Sequence, residues 1–259
     1  MFAAVADMAQ GVGQWRTSYK LGLQDIELRY KRSLLGPFWI SAALVCTILA
    51  LAYVFSGVFH ADFLTYISFI GAGLLTWQLV LSLVTEACMA VTEHAQYLQN
   101  VRLPLTVIAG RIAFRNAIVF AHNFVAVVGL LLIFGVHPTP MIIYALPGAA
   151  LTLLFGYLLC MMLGPICARF RDVPMVIGSA MQVIFFLTPI FWMPEGNSNH
   201  PAFITANPFY HFIELVRKPM LGSLPTDLDW QASLISCAVV GVLSLVSVAL
   251  TRKRLTLWL

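Results

Sequence analysis

The sequence predicts an all-α integral membrane fold. Six transmembrane helices follow an N-terminal amphipathic helix that lies in the membrane interface, and short outer helices sit between the fifth and sixth spans. Three observations carry this. Hydrophobic residues make up 60% of the 259 residues and charged residues 10%, against roughly 25% charged in soluble domains. Runs free of Asp, Glu, Lys and Arg recur along the chain, near the ~20 residues that cross a bilayer. The Lys and Arg residues fall mostly on alternate loops.

The first element is predicted over 15–33. Trp15, Tyr19, Leu23, Ile26 and Tyr30 recur at steps of four, four, three and four, which puts them on one narrow helical stripe. Arg16, Lys20, Gln24, Glu27 and Lys31 form a second stripe beside it, and Asp25, Arg29 and Arg32 flank the other side. A basic, aromatic-bearing amphipathic helix suits a membrane interface. Its anchors are Trp15, Tyr19, Arg29, Tyr30 and Lys31. Gly36 and Pro37 break it, and Pro suits the first turn of a following helix.

The spans are predicted at 34–61, 63–85, 112–134, 141–167, 173–193 and 230–251. Asp62 separates the first two and Glu86 closes the second. The uncharged stretch 116–168 is too long for one helix, and Gly135, Pro138 and Pro140 split it. Arg169, Arg171 and Asp172 form a short charged loop. Arg252, Lys253 and Arg254 close the last span.

Six spans place both termini on one side. Thirteen of the fifteen Lys and Arg residues fall on that side, leaving Arg217 and Lys218 opposite. The positive-inside rule makes both termini cytoplasmic. The N-terminus is not basic and its first apolar run is short, so no cleavable signal is expected.

Two loops are more than linkers. Segment 92–103 suits a short helix with Thr92 as N-cap, ended by Asn100 and Pro104. Its few charges suit a docking element for a cytoplasmic partner. Segment 207–221 opens on Asn207-Pro208, a helix start. Phe209, Phe212, Ile213 and Val216 then share one face, so this helix is interfacial or dips back into the membrane. Gly222 and Pro225 stop it.

Little in the chain suggests catalysis. Its five cysteines are an odd, scattered set, neither a disulfide framework nor a metal site. There is no phosphate-binding G-x-x-x-x-G-K-[ST] and no H-E-x-x-H. Asp227 and Asp229 read as a polar turn rather than a metal-holding pair. Glu86, Arg111 and Arg115 sit near span ends, and His122 reads as a packing residue. No proton path crosses the spans, so the energy for any transport has to come from a partner. The net charge of +4 does not suggest nucleic-acid binding.

The stretch Asp25 to Trp39, the loop from Glu93 to Pro104, Arg169-Phe-Arg-Asp172 and Asn207-Pro-Phe-Tyr210 together resemble the membrane subunit of type-2 ABC exporters. The likeness is to the polysaccharide branch, which exports O-antigen, capsule or teichoic acid. It covers nearly the whole chain and implies a single transmembrane domain, 1–259, with no catalytic residue, metal or cofactor of its own. It implies a second copy of the chain and two copies of a cytoplasmic ABC ATPase, which holds ATP and Mg. The expected cargo is an undecaprenyl-linked polysaccharide, O-antigen first, and the expected location is the bacterial inner membrane.

The resemblance also implies residue roles. Glu93, His94, Gln96, Tyr97 and Arg102 form a coupling helix in a groove of the ATPase. Arg169, Arg171 and Asp172 make a second ATPase contact. Asn207, Phe209, Phe212 and Arg217 belong to an outer gate. The first and fifth spans line a channel between the two copies, through Tyr53, Phe55, Phe59, Gln182, Phe185 and Phe186. A sugar polymer needs a hydrated path with aromatic faces that bind weakly. Two rivals remain. A small-molecule exporter of the same superfamily is disfavoured by the short outer loops. An enzyme acting on lipid-linked sugars needs paired acidic residues at a membrane face, for which only Asp227 and Asp229 are available.

Overall fold

A computed structural model describes residues 11, 13–31, 38–60, 62–101, 103–193 and 202–251. Among them the regular elements are all helices. Helix α1 runs Trp15–Tyr30, α2 Phe38–Phe59, α3 Phe63–Met89, α4 Ala95–Gln99 and α5 Leu105–Ile133. A 3-10 turn, Pro140–Tyr144, leads into α6, Ala145–Arg169. Then come α7 Val173–Leu187, α8 Ala202–Thr205, α9 Pro208–Met220 and α10 Asp227–Thr251. The break expected at Gly36 and Pro37, Arg102, residues 252–254 and the side chains of Arg29 and Tyr30 lie outside the described residues.

Five described helical segments are long and apolar enough to cross a membrane: α2, α3, α5, Pro140–Arg169 and α10. Helix α7 is apolar but only 15 residues long, short of the ~20 that span. The fifth span was expected to reach 193, and its helix stops at Leu187. Pro189 is the cause. A residue before proline is pushed out of the helical region, and Thr188 is extended at φ −91, ψ 132. The chain then turns inward, burying Thr188, Pro189 and Ile190. Irregular backbone at membrane depth is tolerated only inside protein. Here Arg217 Nη1 donates to the Pro189 carbonyl at 2.6 Å, and the Tyr66 hydroxyl donates to the Phe191 carbonyl.

Helix α3 is the pillar. In its most apolar 18-residue window 78% of residues are buried, against 17% for α2 and 22% for α10. Asp62 caps its start, accepting from the Thr65 amide at 3.0 Å. Helices α5, α6 and α9 pack around α3, and α10 packs on the far side of α6. Gly148 lets α9 lie directly on α6: a Cβ there would stand 2.6 Å from the Leu215 carbonyl oxygen, which is backbone and cannot yield.

Helix α1 packs on α5 through small residues, since Gly22 meets the Arg111 backbone and Ser18 faces Gly110. Such residues let backbones approach closely. Trp15 and Tyr19 stay 54% and 42% exposed. Tyr19 nevertheless meets Phe114 of α5 edge-on at 5.8 Å, so the aromatic stripe lies along the border of this contact, partly packed on α5 and partly exposed.

The short helix expected over 92–103 is one five-residue turn, α4. Thr92 is not its N-cap, which is a correction. The ladder of α3 runs on into the turn, with the Glu93 amide donating to the Met89 carbonyl at 3.0 Å. Thr92 therefore lies in the exit of α3, and its hydroxyl donates to the Met89 carbonyl at 3.3 Å. His94 takes the cap position without a side-chain bond to the helix amides. Helix α9 ends at Gly222, whose φ of +84 suits glycine.

Candidate functional site

At the basic end of the bundle, polar side chains converge on α5. Arg111 donates from Nε to Asp25 Oδ2 at 2.7 Å and from Nη2 to Asp25 Oδ1. Arg115 reaches Asp25 at 3.3 Å and Glu86 at 2.7 Å. Asn116 donates to Glu86 at 2.6 Å and accepts from Ser82 at 2.7 Å. One chain of bonds thus ties α1, α5 and α3 together. Burial alone raises the Asp25 pKa, but the hydrogen bond and charge of Arg111, helped by Arg115 and His94, outweigh it. The carboxylate stays below its ordinary range. Sequence reading placed Glu86, Arg111 and Arg115 near span ends and assigned them no role. Their partners are 86 and 90 residues apart, beyond any local spacing rule.

The loop expected to dock a partner reaches the same node. The Arg111 guanidinium lies 4.9 Å from the Tyr97 ring centre, a cation–π distance. His94 is buried and bonds the Ala90 carbonyl through Nδ1 at 3.1 Å, while Glu93 and Gln96 are exposed. So the expected coupling residues divide: Glu93 and Gln96 offer themselves outward, and His94 and Tyr97 face the bundle.

Burial first, then the positive charge of Arg111, pushes the His94 imidazole down to about 4. An unfolded histidine titrates near ~6.5, so protonation favours the open loop. The stability His94 contributes is complete above ~6.5 and lost as pH falls from there toward 4. Hydrogen exchange across 90–99, corrected for intrinsic rates, is expected to rise roughly tenfold between neutral pH and about pH 5. His94→Gln is expected to flatten that profile.

The second charged loop lies beside the first. A cleft of about 480 Å³ has Thr92 and Ala95 on one wall and Arg171 and Met175 on the other. Arg169, Arg171 and Asp172 are all exposed, and Arg169 lies 5.3 Å from the Phe170 ring. The two expected partner contacts therefore share one surface.

At the opposite end, the aromatic residues of the first and fifth spans join. Phe55 stacks on Phe59 at 5.9 Å, and Phe191 stands 5.5 Å from Phe55 and 5.6 Å from Phe185. Trp77 backs Phe185 at 5.5 Å. Tyr53 and Phe186 are 79% and 59% exposed, and Gln182 is also exposed, whereas Phe55 and Phe185 are half-buried. Sequence reading missed Phe191 because it treated 173–193 as one helix. Pro189 was the signal.

The periodicity of α9 predicts a helix that is interfacial or dips back into the membrane. Its polar face is buried in the bundle: His211, Glu214 and Arg217 all lie inside. Arg217, 2% exposed, pairs with Glu214 and lies 4.1 Å from the Phe69 ring centre. His211 contacts Asp229 Oδ1 and the Thr205 carbonyl, each at 2.9 Å. Two acceptors suit a doubly protonated ring. Asp229 also accepts from Lys218 at 2.5 Å and from Thr226, so it is spent on structure. Asn207 caps α9 by accepting from the Phe209 amide at 3.0 Å and donates to Thr188 at 2.7 Å. Phe212 is buried against Phe155 at 4.6 Å. Every polar member of the helix face has a partner, which is what burial requires.

Residues 20–221 match the family described as ABC-2 type transporter. Two O-antigen export system permease proteins RfbA from Klebsiella pneumoniae are 24% and 23% identical over 195 residues, 73% of this chain and 74% of theirs. One of the same name from Myxococcus xanthus is 23% identical over 169 residues, 65% of each chain. The family match takes in both charged loops, the aromatic cluster and α9.

Proposed function

From the premise that this chain belongs to the ABC-2 type transporter family, we propose that it is the permease subunit of an ATP-driven exporter of lipid-linked O-antigen. It is a multi-pass membrane protein and works with an ABC ATPase subunit. The observation that carries the mechanism is Arg111. It takes the docking loop through Tyr97 and the interfacial helix through Asp25. The cargo rests on similarity to permeases named for O-antigen export.

In this reading two copies of the chain pair with two ATPase subunits, which hold ATP and Mg. Closure of the ATPases presses on Glu93, Gln96 and the Arg169–Asp172 loop. The push reaches Arg111, which moves with α1 and, through Arg115 and Glu86, with α3. The short, loosely packed α7 lines the path with Gln182 and Phe186, and α2 adds Tyr53 and Phe59. The second copy completes the wall. The inner-membrane location and cytoplasmic termini rest on the thirteen-to-two bias of Lys and Arg.

The test is complementation. In a bacterium lacking its own O-antigen permease, the chain with its cognate ATPase is expected to restore polysaccharide at the cell surface. Lipid-linked polysaccharide that stays inside, at normal membrane levels of the chain, contradicts the assigned cargo.

A further inference from the structure

We propose that the seam between α3 and α5 holds one buried water molecule, which joins the Glu86–Asn116 network to α2 through Asn123 and Ser41. The inference stands without the transport reading. A cavity of about 10 Å³ lies in that seam, room for one water and no more. On each helix its four lining residues fall at i, i+3, i+4 and i+7, so two facing stripes enclose it. Gln78 and Ser82 of α3 and Asn116 and Asn123 of α5 bring polar atoms to it. Leu75, Leu79 and Phe120, all buried, supply apolar wall.

The hydrogen bonds choose the occupant. Asn116 Nδ2 donates to Glu86 and to the Ile112 carbonyl, and its Oδ1 accepts from Ser82, which leaves one lone pair on that oxygen. Asn123 Oδ1 accepts from Ser41 of α2 at 2.8 Å, which leaves the Asn123 amide N–H groups to donate. Gln78 Oε1 is buried and accepts from no group among the described residues. Asn116 and Asn123 stand about 10 Å apart along α5 at ~1.5 Å per residue, too far to bond each other directly. A water between them both accepts and donates. It takes an N–H from Asn123 and gives its protons to Gln78 and Asn116, and three partners is the usual number for a buried water. An apolar filler would answer none of these groups. A cation would find no charged residue in the lining to offset its desolvation. The chain of bonds then runs from Asp25 and Arg115 through Glu86, Asn116, the water and Asn123 to Ser41 of α2.

The test is radiolytic footprinting of the full chain in lipid nanodiscs. X-ray pulses turn water, bound or bulk, into hydroxyl radicals that add to side chains in contact, and the products are mapped by mass spectrometry. After correction for intrinsic reactivity, Phe120 is expected to be hydroxylated about tenfold faster than Ile48 and Val127. Those two are also buried, pack around Gly71 and lie off the cavity. Gln78→Leu is expected to cut Phe120 labelling about fivefold, the factor for one lost hydrogen bond. Gln78→Glu keeps an acceptor oxygen and is expected to preserve it. Asn123→Leu combined with Ser41→Ala removes the donor without stranding a hydroxyl, and is expected to cut the labelling as Gln78→Leu does. Equal labelling of the exposed Tyr53 in every variant controls for folding. Phe120 labelled no faster than Ile48 and Val127 overturns the proposal, because the cavity is then dry. Labelling that survives either the α3 or the α5 substitution overturns it too, because the radicals then come from bulk solvent.

Discussion

Replacing Arg111 by Met is expected to detach α1 from the bundle and abolish ATP-driven export. Arg111 and Asp25 have side chains each 10% exposed, so the pair is buried. A solvent-exposed pair is worth about 0–1 kcal/mol, whereas removing one partner of a buried pair costs about 3–5 kcal/mol. Burial decides which figure applies. Arg111→Met leaves the Asp25 carboxylate with Arg115 alone at 3.3 Å and strips Tyr97 of its cation. Faster hydrogen exchange across α1 and a lower melting temperature in detergent are the expected readouts. Adding Asp25→Leu removes the stranded charge and is expected to recover much of the stability but not export, since the link from docking loop to α1 stays broken. The folded Asp25 pKa lies below its ordinary value. Its stabilising contribution is therefore full above about 4 and lost progressively as pH falls below that. Wild-type exchange across α1 that matches the variant's contradicts this role.

Arg217→Met is expected to release the segment after α7 and stop export at the outer side. One guanidinium bonds Glu214 and the Pro189 carbonyl and lies over the Phe69 ring. Its loss leaves Glu214 buried, with Lys218 at 3.7 Å as its remaining cation among the described residues, and a carbonyl unanswered. That again costs about 3–5 kcal/mol. Arg217→Lys is expected to fail as well, because a point-charge ammonium cannot serve two acceptors and a ring face at once. A cysteine placed at Phe191 is expected to react faster with an impermeant thiol reagent in both variants. Unchanged reactivity would show that Arg217 does not hold the segment.

Much of the architecture was legible in the sequence because bilayers impose simple rules. Charge-free runs marked the membrane helices, and Asp62 and Gly222 marked helix ends. What escaped was long-range or contextual. Nothing local says that Asp25 seeks Arg111, or that Arg217 seeks a carbonyl 28 residues earlier. The polar face of α9 has the periodicity of a solvated face, and only its partners on other elements reveal burial. The aromatic residues of the first and fifth spans were visible singly. Their union through Phe191 depended on the Pro189 break, which sequence rules about proline foretell but span-length rules hide.

The most direct test is co-purification of the chain with its cognate ABC ATPase, followed by ATP hydrolysis with and without Glu93→Arg. Glu93 is exposed, and exposed substitutions usually change stability by less than about 0.5 kcal/mol, so the fold is expected to survive. A stable complex whose recovery or hydrolysis drops about tenfold in the variant is the predicted result, equivalent to ~1.4 kcal/mol at the docking surface. A chain that purifies alone, or a variant that binds and hydrolyses as the wild type does, would contradict an ATP-driven permease coupled through this loop.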